Sequence, residues 1–101
     1  MTLPAWVSPQ LATLVAAAPV GDDWLHEVKL DGYRILARIE RGRARLLTRN
    51  RQNWTDRFPA VAEAAGALPV KEAFLDGEIV AFDRGGVSSF RTLAGDSSIL
   101  P

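Results

Sequence analysis

The stretch WLHEVKLDGYRILARIERGRARLLTR, Trp24 to Arg49, decides how this chain is read. Apolar and polar residues alternate along it with the period of two that a half-buried strand requires. From Trp24 to Leu30 one face carries Trp24, His26, Val28 and Leu30, and the other carries Leu25, Glu27, Lys29 and then Asp31. Asp31-Gly32 is a favourable turn pair, since glycine tolerates positive φ. A second strand, Tyr33 to Glu40, puts Tyr33, Ile35, Ala37 and Ile39 on one face. Arg41-Gly42 turns the chain, and Arg43 to Arg49 returns as a third strand. The expectation is a three-stranded antiparallel meander whose first strand leads into its turn with a carboxylate, an amine and a carboxylate (Glu27, Lys29 and Asp31) on one face.

Outward from this stretch the signals change. Ser8 and Pro9 suit a helix start, with Leu11, Leu14 and Val15 on one face, but prolines 4, 9 and 19 equally suit an extended segment that wraps the sheet. Downstream, Thr55 is placed to cap a helix over DRFPAVAEAAGAL, with Pro59 in its first turn and Gly66 at its stop. AFLDGEIVAFD, residues 73–83, then reads as a fourth strand, with Phe74, Asp76, Glu78, Val80 and Phe82 on one face and Leu75, Ile79 and Ala81 on the other. The last residues are rich in glycine and serine. The organisation expected is one α+β domain with a mostly antiparallel sheet and one or two helices: a wrap over 1–23, a core over 24–83 and a loose tail over 84–101.

Composition narrows the function classes. The 101 residues fit one small domain, and the absence of cysteine excludes a disulfide framework and thiolate metal sites. No apolar run is long enough to span a bilayer and no secretory signal is visible, so a cytoplasmic protein is the expectation. The net charge is zero, yet Lys29 to Arg57 holds nine basic residues against three acids, a net of +6. Such a patch attracts polyphosphate or a nucleic-acid backbone, although a solvated face of arginines has the same composition.

Lys29-Leu30-Asp31-Gly32-Tyr33-Arg34 has the form K-x-D-G-x-R, which chance produces in roughly one chain of this length in a thousand. A lysine attacks an electrophile only as the neutral amine, and its ordinary pKa is about 10.4, so a nucleophilic Lys29 needs a neighbouring cation, a metal or desolvation to lower that value. Arg34 offers a forked donor to an anion. Glu27 is one strand period from Lys29. Glu78 shares a face with Asp76, where a buried carboxylate would need an arginine or a ribose hydroxyl to satisfy it. Together these residue types suit nucleotidyl transfer through a lysine–nucleotide bond. A charged DG hairpin with salt-bridged acids is the plain structural alternative.

WLHEVKLDGYRILARI, LLTRN, WTDRFP and LDGEIVAFD, in this order, resemble the N-terminal part of the adenylation (nucleotidyltransferase) domain of bacterial ATP-dependent DNA ligases, most of all the end-joining repair ligases. The likeness runs over about residues 3 to 90. It implies part of the DNA ligase/mRNA capping enzyme nucleotidyltransferase fold, with ATP and Mg²⁺ (or Mn²⁺) as cofactors. The implied partners are nicked or broken duplex DNA and other end-joining repair proteins. By the resemblance, Lys29 takes AMP from ATP, Glu27 contacts the adenine, and Arg34 lies near the ribose and the nick phosphate. Arg49 meets a DNA or nucleotide phosphate, and Glu78 holds the ribose hydroxyls. Asp31 organises either the turn or a metal.

Two departures matter. Arg51 follows TRN where the family usually has glycine. The family's adenine-stacking aromatic, a further metal-binding glutamate, a late lysine pair and the oligonucleotide-binding domain all belong to a continuation that this sequence does not contain. The end RTLAGDSSILP does not resemble that continuation. The isolated chain is therefore expected to be a front part of the domain that cannot seal a nick. A non-catalytic nucleotide- or DNA-binding module, and an RNA-ligase or capping-type nucleotidyltransferase, are the competing expectations.

Overall fold

The computed structural model describes residues 3–27 and 29–86. Its elements are β1 (Tyr33–Glu40), β2 (Arg43–Leu47), a 3₁₀ turn (Thr55–Arg57), helix α1 (Pro59–Gly66) and β3 (Glu72–Ile79). The sheet is antiparallel throughout, in the order β2-β1-β3. Arg41 and Gly42, at φ 51° and 79°, form the two-residue turn between β1 and β2 that the sequence predicts. Positive φ at both central residues gives such a turn the twist of the strands it joins.

β1 explains the sheet. Its odd positions Tyr33, Ile35, Ala37 and Ile39 face α1, and the core gathers there: Ile35, Ala37, Leu46, Phe58, Ile79 and Ala81 are buried, with Val61 and Ala62 of the helix packed on them. Tyr33, Trp54 and Phe58 meet at ring-centroid distances of 5.1 to 6.5 Å. Even positions Arg34, Leu36, Arg38 and Glu40 line the second face. There Leu36 and Leu47 stand opposite each other, both buried.

The expected strand over Trp24–Leu30 does not form in the described residues. The physical reason is that β1 has two hydrogen-bonding edges, and β2 and β3 occupy both. The segment is left as an irregular, exposed run, with Leu25 93% accessible. The sheet core is thus a hairpin joined by a third strand from after the helix, not a meander starting at Trp24.

The N-terminal segment is extended rather than helical in the described residues. No helix forms at 8–15. Instead the segment crosses the second face: Arg38 donates to the carbonyls of Leu3 and Pro4, Arg34 donates to that of Gln10, and Trp6 packs edge-on against Phe74 at 6.4 Å. Thr55 does not cap α1. Its hydroxyl accepts from the Leu46 amide and donates to Asn53, stitching the 48–54 loop to β2. Phe58 precedes the helix and Pro59 opens it, at a position where a missing N–H costs nothing. Residues 87–101, most of the expected tail, lie outside the described residues. Among the described residues no helix is long and apolar enough to cross a membrane.

Candidate active site

The candidate residues collect where β1 begins and β3 ends. Gly32 makes this possible, for a reason the sequence reading misses. Its φ is not among the positive values; what it supplies is space. A Cβ at Gly32 would lie 2.0 Å from the Ile79 carbonyl oxygen and 2.9 Å from Val80. The bare backbone lets the Leu30–Gly32 run press against the end of β3, beside Glu78.

Lys29 and Asp31 pair with each other within the loop that leads to Gly32. The Lys29 ammonium donates to Asp31 at 2.6 Å, with the two side chains 87% and 53% accessible. The hydrogen bond and charge of Asp31, with a smaller contribution from Glu78, push the Lys29 pKa up from its ordinary value. A nucleophilic lysine needs the opposite shift. In this arrangement the hydrogen bond and charge of Asp31 outweigh the slight desolvation that would lower it, because the side chain stands largely in water.

Arg34 is held more firmly. Its Nε and Nη2 form a fork onto Asp76, at 3.0 and 2.6 Å, and its Nη1 reaches the Gln10 carbonyl. Arg34 keeps Asp76 below the usual carboxylate range, and Asp76 with Glu78 pushes the guanidinium still higher. Glu78 is the cross-strand partner of Arg34 in the β1–β3 register. It is exposed, not the buried carboxylate that the strand pattern suggests. Asp76 is the residue that the sequence reading places on the right face without a role. The signal available was the alternation Asp76-Gly77-Glu78, which puts two carboxylates on the face that β1 fills with Arg34 and Arg38.

Arg49 sits in the turn after β2, where the Arg51 amide donates to the Thr48 carbonyl at 2.9 Å. Arg49 and Arg34 line one shallow cleft with Tyr33, Thr48 and Trp54. Glu27 is exposed on the loop before Lys29, with no strand to fix it on the Lys29 face. So Lys29, Asp31, Arg34 and Glu78 come together, Arg49 borders them, and Glu27 is not brought in. Arg51 adopts φ 65°, the left-handed angle that glycine would supply freely. Its guanidinium lies 4.9 Å over the Trp6 ring, a contact worth about 0.5–1 kcal/mol against roughly 1–2 kcal/mol of backbone strain.

No group of three or more His, Asp or Glu among the described residues is arranged to hold a metal ion. A magnesium ion that arrives on nucleotide phosphates needs only one or two carboxylates, and Asp31 and Glu78 are of that type.

Residues 9–98 match the ATP dependent DNA ligase domain. The chain is 46% identical over 91 residues to the multifunctional non-homologous end joining protein LigD of Pseudomonas aeruginosa, covering 90% of this chain and 11% of that protein. It is 44% identical over 70 residues to a probable DNA ligase of Streptomyces coelicolor, covering 68% and 14% respectively. The crystal structure of the ligase domain of Mycobacterium tuberculosis LigD aligns with a TM-score of 0.63 at 34% identity, over 69% of this chain and 23% of that one. A mycobacterial DNA ligase D complexed with ATP and MES aligns at 0.61 and 35%, over 67% and 23%. The fold described above is a portion of that nucleotidyltransferase fold, and the chain belongs to the ATP-dependent DNA ligase domain family.

Proposed function

We propose that this chain carries the lysine-bearing part of a DNA-ligase adenylation reaction, with Lys29 as the residue that accepts AMP. The observation that supports it most is the docking of the K-x-D-G loop on β3 through Gly32, with the Lys29 amine bonded to Asp31 and near enough to Glu78 to feel its charge, and Glu78 opposite Arg34 in the sheet. Arg34 and Arg49 suit phosphate, Glu78 suits ribose hydroxyls, and Glu27 suits the adenine.

The chemistry runs in three transfers. The neutral Lys29 amine attacks the α-phosphorus of ATP; a P–N bond forms, the P–O bond to pyrophosphate breaks, and pyrophosphate leaves. The 5′-phosphate at a nick attacks that phosphorus, the P–N bond breaks, and Lys29 recovers its proton. The 3′-hydroxyl then attacks the activated 5′-phosphate and AMP departs. Bound Mg²⁺ or Mn²⁺ would neutralise phosphate charge. Before the first transfer Lys29 must give up both its proton and its bond to Asp31. Arg34, pinned by Asp76 and the Gln10 carbonyl, is preorganised and loses little entropy on meeting phosphate. Other end-joining repair proteins are the partners that this reading implies.

One observation favours a second reading, a non-catalytic nucleotide- or DNA-binding module: Lys29 is exposed and held protonated. Intact-mass spectrometry after prolonged incubation with ATP and Mg²⁺ separates the two. A slowly accumulating trace of one added adenylyl group, mapped to Lys29, is the expected result. ATP binding with no covalent gain in mass would favour the module.

A further inference from the structure

The long run of arginines is only partly used by this site. Arg34 and Arg38 are tied down: Arg34 to Asp76 and the Gln10 carbonyl, Arg38 to Glu40 and the strap carbonyls of Leu3 and Pro4. Arg41, Arg43 and Arg45 are not. Among the described residues their side chains are exposed and engaged in no hydrogen bond, ion pair or ring contact. They occupy the hairpin tip and the edge strand β2, and Lys71 joins them at the tip, where its carbonyl accepts from the Arg41 amide.

Charged residues on an edge strand often serve only to discourage edge-to-edge pairing. The register argues for more. Arg45 stands directly opposite Arg38, a like-charge pair, which costs stability in a sheet. Arg43 stands opposite Glu40, but Glu40 is already paired with Arg38, and across β3 it faces another acid, Glu72. Glu63 of α1 borders the same groove without reaching either arginine. A surface built for solubility alone would intersperse its signs. This one leaves a row of unneutralised cations that an external polyanion would complete.

Geometry names the polyanion. Arg43 and Arg45 are two positions apart, so their Cα atoms are about 6.8 Å apart along the strand. The phosphates of one DNA strand advance 3.4 Å per nucleotide along the axis, which puts successive phosphates within reach of the two long side chains. The seven steps from Arg34 along β1 to Arg41 in its turn cover about 23 Å, or about seven base pairs of duplex. We infer that β2 and the hairpin tip, through Arg43, Arg45, Arg41 and Lys71, grip the sugar-phosphate backbone of duplex DNA several base pairs away from the strand break held at the Lys29 end. This inference rests on the ligase reading for its choice of duplex DNA, and its contacts are independent of sequence.

The test is fluorescence anisotropy of a labelled nicked duplex with the full chain and with R43Q/R45Q, without ATP, between about 50 and 200 mM salt. Two lost phosphate contacts should make the slope of log affinity against log salt shallower by about 1.8, and weaken binding about tenfold or more near 0.1 M salt. R43K/R45K should restore the slope, and R84Q, a charge removed elsewhere, should leave it unchanged. A slope and affinity equal to the unmodified chain's would overturn the inference. So would an equal loss in R84Q, or a loss seen only with single-stranded DNA. Lysyl-AMP formation is read separately. An adduct with an unchanged salt slope retains the ligase reading and rejects this surface; a changed slope with no adduct does the reverse.

Discussion

At the scale of single residues, the proposed reactivity turns on the Lys29–Asp31 pair. Asp31 holds the Lys29 proton, so the pKa is raised and the neutral amine is scarcer at any given pH, tenfold for each unit. The sign for stability is that of a raised base. The pair's contribution is fully present below the unfolded lysine value of about 10.4 and is lost as pH rises through the folded one, and it is small because both groups are in water. Asp31→Asn removes the charge that holds the proton. The pH at which lysyl-AMP formation is half-maximal should therefore move down, whatever happens to the plateau rate; a midpoint that stays in place contradicts the role given to Asp31. The K-x-D-G-x-R spacing made Lys29, Asp31 and Arg34 legible from the sequence alone. The direction of the Lys29 shift was not, because it depends on which charge is nearest in space. Asp76 was missed for the same reason: its fork with Arg34 joins residues 42 positions apart.

At the scale of elements, the decisive contact is the loop before β1 lying on the end of β3. Alternation identifies β1, β2 and the β3 faces, and Pro59 and Gly66 mark the ends of α1. It failed at Trp24–Leu30, because alternation reports which faces differ and not whether a strand edge is free to pair. β3, from across the helix, holds the edge that the DG turn seemed to offer. Gly32 fixes that docking. Gly32→Ala should destabilise the fold by about 1–3 kcal/mol, since the new methyl meets backbone at 2.0 Å and the loop must lift off. Gly77→Ala, with nothing within 4 Å of its Cβ position, should be neutral or slightly stabilising. Urea midpoints of the two variants make the comparison. Equal midpoints would mean that the loop does not need its seat on β3.

At the scale of the whole molecule, the described residues form one thin layer of sheet with a helix on one face and a strap on the other. Lys29 is 87% accessible, whereas phosphoryl transfer draws on charge preorganised away from water. The chain by itself should not seal a nicked duplex, and robust sealing by it would contradict this account of an open site. The chain spans 11% of the Pseudomonas relative's length, so the decisive test supplies the surroundings that the site needs. Residues 9–86 are spliced into the ligase domain of that relative in place of the matching segment, with Lys29 intact or replaced by alanine, and the protein is incubated with ATP and Mg²⁺ and mapped by peptide mass spectrometry. The account predicts AMP bonded to Lys29 in the first protein and no adduct or sealing in the second; an alanine variant that still charges with AMP and seals nicks would contradict it.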